Sequence, residues 1–134
     1  MRVSSALAAA LAIAGVQALL GAQEPRLDAR LDARTSAEVS RIVDSARAVG
    51  IPADPLIDKA LEGATKRASP ERIVAAVRGL AQRLGVARSV LGANVPSADL
   101  VAAAGALYEG VTPSDLARLR DARTNAPLAR GASA

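Results

Sequence analysis

Apolar residues recur at helical spacing from residue 35 onward. The first stripe has gaps of three, four and three residues and consists of Val39, Ile42, Ala46 and Val49. Such a stripe predicts an amphipathic helix with one buried face. Thr35 and Glu38 have the spacing of a capping box at the start of this helix, and Gly50 is a typical residue to end it. A helix over about 35–49 is therefore predicted.

A capping residue followed by proline opens two further helices, at Asp54-Pro55 and at Ser69-Pro70. Proline suits the first turn of a helix because its missing N–H would have no partner there. The first of these helices has the apolar face Leu56, Ile57, Ala60, Leu61 and Ala64. The second runs to about Leu91, where Gly92 is expected to end it, and has a heptad-like seam formed by Ile73, Val77, Leu80, Leu84, Ala87 and Leu91. The seam favours packing on the chain's own helices, with self-association through the 70–91 helix as the alternative.

The last two predicted helices begin at the capping residues Ser97 and Thr112, the second of which is followed by Pro113. In the fifth helix, Asp115 is placed to reach back to the cap at Thr112. The positions expected to face the core are Leu100, Val101, Ala104, Leu107 and Tyr108 in the fourth helix and Leu116 and Leu119 in the fifth. No segment alternates as a half-buried strand would. The sequence thus predicts an all-α domain over 35–123, a small bundle of about five helices.

The two helix-to-helix joints of this domain are similar to each other. "EGATKRASPERI" at 62–73 and "EGVTPSDL" at 109–116 share Glu-Gly, a hydroxyl residue before proline and a later apolar residue. The pattern predicts two approximate helical-hairpin repeats of about 44 residues, close to the period of helical solenoids. The second copy is expected to have a longer first helix, and Gly63 and Gly110 are expected to end helices. The alternative is a compact bundle whose hairpins share only their capping needs.

The chain begins with the layout of a secretory signal peptide. Residues 1–22, "MRVSSALAAALAIAGVQALLGA", combine one Arg, a short apolar stretch and small residues before expected cleavage sites after Ala18 or Ala22. Retention as a membrane anchor is the alternative, although the stretch is short for a span. No later apolar run is long enough to cross a bilayer. Residues 23–34 are predicted to be a charged linker or frayed helix and 124–134 a disordered tail, so we expect an exported, periplasmic or secreted protein.

The composition limits the chemistry of the chain. It has 134 residues with no Cys and no His, which removes the common zinc ligands and the nucleophile systems built on Cys or His. Glu62 and Glu109 are candidates for a carboxylate pair, but both precede predicted helix-ending glycines and are expected to be exposed. No catalytic, cofactor-binding or metal-binding residue is therefore predicted. A carboxylate- or Mg²⁺-dependent enzyme is the alternative.

The net charge of +4 does not indicate nucleic-acid binding. Acidic residues interleave with the arginines, and Tyr108 is the one aromatic residue in the chain. Nucleic-acid-binding surfaces need clustered basic residues and often stacking aromatic side chains. The arginines of the 70–91 helix also point in several directions instead of forming one basic stripe. Attachment of the arginines to an anionic surface, weakened by salt, is a further alternative.

Residues 50–123 resemble uncharacterised exported bacterial proteins rich in Ala and Arg, through "PLIDKALEG" and "GVTPSDL". That resemblance implies an all-helical exported protein and brings no catalytic residues. "VTPSD" at 111–115 is more distantly similar to the L-T-x-x-Q signature of Spy-type periplasmic chaperones, with Val for Leu and Asp for Gln. The sequence predicts a non-enzymatic protein-interaction module that binds an unknown protein or a second copy of itself. A Spy-type chaperone or stress protein is the alternative.

Overall fold

The chain folds into a small bundle of helices. The computed structural model describes residues 24–125, which contain six helices and no strand. The helices are α1 (Pro25–Asp28), α2 (Ala33–Ala48), α3 (Asp54–Thr65), α4 (Pro70–Leu91), α5 (Ser97–Tyr108) and α6 (Pro113–Asn125). The predicted all-α fold is confirmed. The predicted signal peptide at 1–22 and residues 126–134 of the predicted tail lie outside the described residues.

The longest helix, α4, is the centre of the bundle and packs against α2, α3, α5 and α6. The seam predicted from its heptad-like spacing faces these helices. Four seam residues are buried, namely Ile73, Val77, Leu84 and Ala87, and Leu80 and Leu91 are partly buried against the core. The apolar stripe of α4 is therefore covered by helices of the same chain.

Four apolar side chains that the helical spacing placed in the core are exposed instead, and those predictions were wrong. They are Val49 (62% exposed), Val101 (41%), Tyr108 (71%) and Leu119 (58%). Val49 follows the last residue of α2 and no longer has helical backbone angles. Tyr108 ends α5, and α5 packs through Leu100 and small alanines, which leaves Val101 beside the contact. The contact of α6 with the core is narrower still, with Leu116 as its buried residue.

The predicted linker at 23–34 contains the short helix α1, which is anchored in the core. Leu27 of α1 is fully buried. The Arg26 guanidinium bonds the carboxylates of Glu24 (2.9 Å) and Asp54 (3.0 Å), which connects α1 to the first turn of α3. These acids raise the pKa of Arg26 above its ordinary value, chiefly through the hydrogen bond from Arg26 to Glu24. The charged stretch therefore belongs to the folded unit.

Helix α2 begins earlier than predicted because Asp32 caps it. The Asp32 carboxylate accepts hydrogen bonds from the Thr35 backbone N–H (3.0 Å) and the Thr35 hydroxyl (2.6 Å). Thr35 is thus the third residue of the helix and is buried, so the predicted capping box of Thr35 with Glu38 is wrong. Glu38 instead forms an ion pair with Arg34 at 3.4 Å.

At the starts of the other helices, two of the predicted capping residues are caps and two are not. Ser69 and Thr112 are confirmed as caps, since Ser69 Oγ accepts from the Arg72 N–H (3.4 Å) and Thr112 Oγ1 from the Asp115 N–H (3.1 Å). Asp54 and Ser97 were predicted as caps, but each is the first residue inside its helix. Asp54 is occupied by its ion pair with Arg26.

The corresponding helices of the two hairpins, α3–α4 and α5–α6, start at the same interval along the chain. α3 and α5 both have 12 residues, so the prediction of a longer helix in the second copy is wrong. Asp54 and Ser97 start the first helices, Pro70 and Pro113 the second ones, and 43 residues separate each pair. Gly50, Gly92 and Gly110 have positive φ and end their helices as predicted, whereas Gly63 lies inside α3. That the two hairpins are repeats of one unit stays a prediction.

Candidate functional site

The two glutamates considered for acid–base chemistry lie in ordinary surface environments. Glu62 on α3 is ion-paired with Lys59 (3.2 Å) and with Lys66. These hydrogen bonds, the one from Lys66 first, hold the pKa of Glu62 below its usual value, which keeps the carboxyl ionised. Glu109 directly follows α5 and is exposed. Within residues 24–125 no hydrogen bond or ion pair links the two carboxylates.

Asp115 has the structural role that its spacing predicted. Its carboxylate accepts a hydrogen bond from the Thr112 hydroxyl (2.8 Å), and its backbone N–H donates to the same hydroxyl oxygen (3.1 Å). The Arg118 guanidinium contacts the second carboxylate oxygen at 3.2 Å. In the part of the chain from 24 to 125, no three acidic side chains come together in a way that would hold a metal ion. No helix in the same part is both long and apolar enough to span a membrane.

A groove of about 610 Å³ lies between α5 and α6. We call it the α5–α6 groove; its apolar lining includes Leu91, Ala102, Ala103, Ala106, Leu116 and Leu119. Asp99 lies on the α5 side, and Arg120 and Arg123 lie on the α6 side. The two sides of the groove therefore carry opposite charges around an apolar floor.

The geometry of this groove follows from how α6 is held on α4. Leu116 is buried, and the Arg120 guanidinium donates a hydrogen bond of 2.6 Å to the Val90 carbonyl at the end of α4. These contacts fix α6 at two points one turn apart. Leu119, between them in sequence, lines the groove with more than half of its side chain exposed. One wall of the groove is thus held in place on α4, and that wall presents an apolar side chain that is largely exposed.

A second apolar surface lies between α2 and α4, where two adjoining grooves of about 370 and 550 Å³ share Val49, Ile51 and Gln82. We call it the α2–α4 face. Its apolar lining consists of Ile42, Ala46, Val49, Ile51, Ala81 and Val86. Its charged lining residues are Arg41, Arg78 and Arg88, and the described lining includes no acidic side chain. The face therefore combines an apolar lining with charged side chains that are all positive.

The α2–α4 face is held in shape by the turn after α2. Gly50 has φ 77°, a left-handed conformation that suits glycine. The Arg88 Nε of α4 donates to the Gly50 carbonyl at 3.2 Å, and a β-carbon on Gly50 would lie 2.4 Å from an Arg88 nitrogen. The turn is therefore tied to α4, with Ile51 buried just after it.

Tyr108 contributes to the surface instead of the core. The Arg83 guanidinium of α4 lies over its ring, 4.9 Å from the ring centroid, at the distance of a cation–π contact. The Arg83 Nε is buried and has no hydrogen-bond partner among residues 24–125. The contact joins a mostly exposed aromatic side chain at the end of α5 to α4.

The sequence reasoning missed both surfaces because each is formed by two helices. Leu119 was the one available signal, as a large apolar residue in the strongly charged segment "DLARLRDAR". No family model, curated protein or solved structure matches the chain. The resemblances to exported Ala- and Arg-rich proteins and to Spy-type chaperones therefore stay predictions.

Proposed function

We propose that the chain is an exported, non-enzymatic protein that binds another protein through the α5–α6 groove. The observation that carries the proposal is the largely apolar lining of that groove, in whose wall Leu119 is 58% exposed. Water in contact with such a surface is released when a complementary apolar surface covers it, which favours binding. Exposed apolar patches of this kind commonly mark interaction sites.

The occupant that suits this groove is an amphipathic helix of the partner protein. α5 and α6 both pack on α4, and the groove between them has an alanine-rich floor that allows close approach of another helix. Apolar side chains on one face of a partner helix would contact the groove, as in other helix-in-groove complexes. Asp99 on one side and Arg120 and Arg123 on the other favour one orientation of the partner's charges.

The other parts of the proposal have separate support. The signal-peptide layout of residues 1–22 supports export. The paired, ionised state of Glu62 supports a structural role for this carboxylate, because a general acid or base at neutral pH needs a pKa shifted toward neutrality. Asp115 is likewise engaged with its own helix cap.

The test is affinity capture from the native envelope fraction with the mature chain as bait. Leu119→Asp places a charge on the apolar wall, and Ala122→Asp is the matched control because Ala122 is an exposed residue of the same helix outside the groove lining. We expect one protein to be captured by the wild type and by Ala122→Asp, and lost with Leu119→Asp. Equal capture by all three chains, or none by the wild type, would contradict the proposed site.

A Spy-type chaperone function is the second candidate, favoured by the presence of apolar exposure on two separate surfaces. A chaperone binds many unfolded chains, whereas a dedicated module binds one folded partner. Suppression of aggregation of a chemically unfolded client distinguishes the two. For a chaperone, the wild type should suppress aggregation, and both Leu119→Asp and a change at Val49 should weaken that suppression. This result would support the chaperone function over the dedicated module.

A further inference from the structure

The α2–α4 face has a charge pattern that the α5–α6 groove does not have. Arg41 and Arg78 are exposed and form no ion pair with any described residue, and Arg88 bonds a backbone carbonyl. The nearest acids of α2 are engaged elsewhere, Glu38 with Arg34 and Asp44 with Arg47. Among residues 24–125, the positive charges of Arg41 and Arg78 are therefore not balanced by a direct ion pair.

The apolar part of the face is also incompletely covered. Val49 is 62% and Val86 39% exposed, and they belong to the second of the two adjoining grooves, one from the end of α2 and one from α4. An isolated exposed valine is common on protein surfaces. Here two of them lie in a concave surface together with Ile51, which makes the set a candidate contact surface.

We propose that the α2–α4 face is a second binding surface, which takes an amphipathic helix bearing acidic residues from a partner protein. Apolar side chains of that helix cover Val49 and Val86, and its carboxylates lie against Arg41, Arg78 and Arg88. Arginine suits this role because its planar guanidinium can bond a carboxylate through two N–H groups. The proposal goes beyond the α5–α6 groove and does not depend on it.

The side chains of the face favour a protein segment over a lipid surface. Its apolar residues line shallow, open grooves that a helix of a partner can cover. Peripheral membrane helices commonly use protruding Trp, Phe or Leu side chains with Lys or Arg around them, whereas the described lining here offers short valines and an isoleucine. The test therefore also measures binding to anionic vesicles.

The probe is a fluorescein-labelled designed peptide of about 18 residues, or about five helical turns, with Leu on one face and Glu on the other. A second peptide has Lys in place of every Glu. The protein variants are Arg41→Glu with Arg78→Glu on the face, and Arg67→Glu with Arg72→Glu as the control. Arg67 and Arg72 are exposed and do not line the face, so both double variants change the net charge equally.

We expect the acidic peptide to bind the wild type saturably and the double variant on the face at least about tenfold more weakly, because attraction becomes repulsion at two sites. The control variant should stay within about twofold of the wild type, and added salt should weaken wild-type binding. Val49→Ser with Val86→Ser should also weaken it. Leu119→Asp should leave it unchanged, which separates this result from a failure of the α5–α6 groove.

Equal binding of the acidic and basic peptides, or equal loss in the face and control variants, would overturn the proposal. So would binding that appears only with vesicles of phosphatidylglycerol and not with the peptide. Circular dichroism verifies that each variant is helical. If the charge reversals unfold the chain, Arg41→Gln with Arg78→Gln removes the charge without repulsion, and unchanged peptide affinity in that variant would equally overturn the proposal.

Discussion

Ile73 of α4 packs directly over Gly63 of α3, so closely that a β-carbon on Gly63 would lie 2.8 Å from Ile73 Cγ1. Ile73 is itself buried, so it has little space to move away. The glycine is therefore a packing residue of the α3–α4 hairpin and not the helix end that its place in the sequence indicated.

This contact predicts opposite effects for two Gly→Ala changes in helices. Gly63→Ala should lower the free energy of unfolding by about 1 kcal/mol, since the overpacking exceeds the gain in helix propensity. Gly105→Ala on α5 meets no atom within 4 Å and should raise it by up to about 1 kcal/mol. Urea denaturation followed by circular dichroism measures both. Equal stabilisation by the two changes would contradict the close contact with Ile73.

A second prediction concerns the α4 seam. Leu84 is fully buried within the bundle, whereas Leu119 is exposed. Leu84→Ala should lower the free energy of unfolding by about 2–5 kcal/mol because it leaves a cavity in the core. Leu119→Ala should change it by less than about 0.5 kcal/mol. If Leu84→Ala changed only the sedimentation behaviour and not the stability, the seam would be an interface between copies.

The cap of α6 gives a third prediction. Thr112→Ala removes the hydroxyl that accepts from the Asp115 N–H and donates to its carboxylate. The free energy of unfolding should fall by about 1 kcal/mol. Thr112→Ser keeps the hydroxyl and serves as the control, so a loss of similar size with serine would show that the methyl group, and not the cap, is responsible.

A fourth prediction follows from Asp32. The hydrogen bonds from Thr35, that of its side chain first, hold the pKa of Asp32 below its ordinary value. A carboxyl with a lowered folded-state pKa stabilises the fold above its unfolded pKa, and this contribution is lost as the pH falls through the folded pKa. The thermal midpoint should therefore decline below about pH 4.

Asp32→Asn is the control for this effect. An amide does not titrate, so the decline of the thermal midpoint between about pH 4 and pH 2 should be shallower in the variant than in the wild type. Glu62→Gln should have a separate effect of the same sign, because Lys66 and Lys59 also lower the pKa of Glu62. A parallel pH profile for Asp32→Asn and the wild type would contradict the capping role.

Local signals in the sequence were sufficient for the joint before α6. Gly110, Thr112, Pro113, Asp115 and Leu116 have the roles that their spacing predicted. These roles depend on backbone conformation and on neighbours within four residues, so a short stretch of sequence contains the necessary information.

Which apolar side chains are buried depends on tertiary packing, and this could not be predicted from the sequence. Leu27 lies in a charged stretch in which the other leucine, Leu31, follows four residues later, and two leucines among arginines and aspartates did not indicate burial in a common core. Tyr108 and Leu119 have helical spacing to buried residues, but the neighbouring helices cover narrower faces than the spacing suggested. Both candidate surfaces combine residues from separate helices, and one of them places Arg41 of α2 beside Arg78 of α4.

The most direct test of the proposed function is site-specific photo-crosslinking in intact cells. A photoreactive amino acid replaces Leu119 in the wall of the α5–α6 groove or, as the control, Ala122 on the same helix outside its lining. We predict a discrete adduct of one partner protein from position 119 and none from position 122. No adduct from 119, equal adducts from both positions, or an adduct with the mass of two copies of this chain would contradict binding of another protein in this groove.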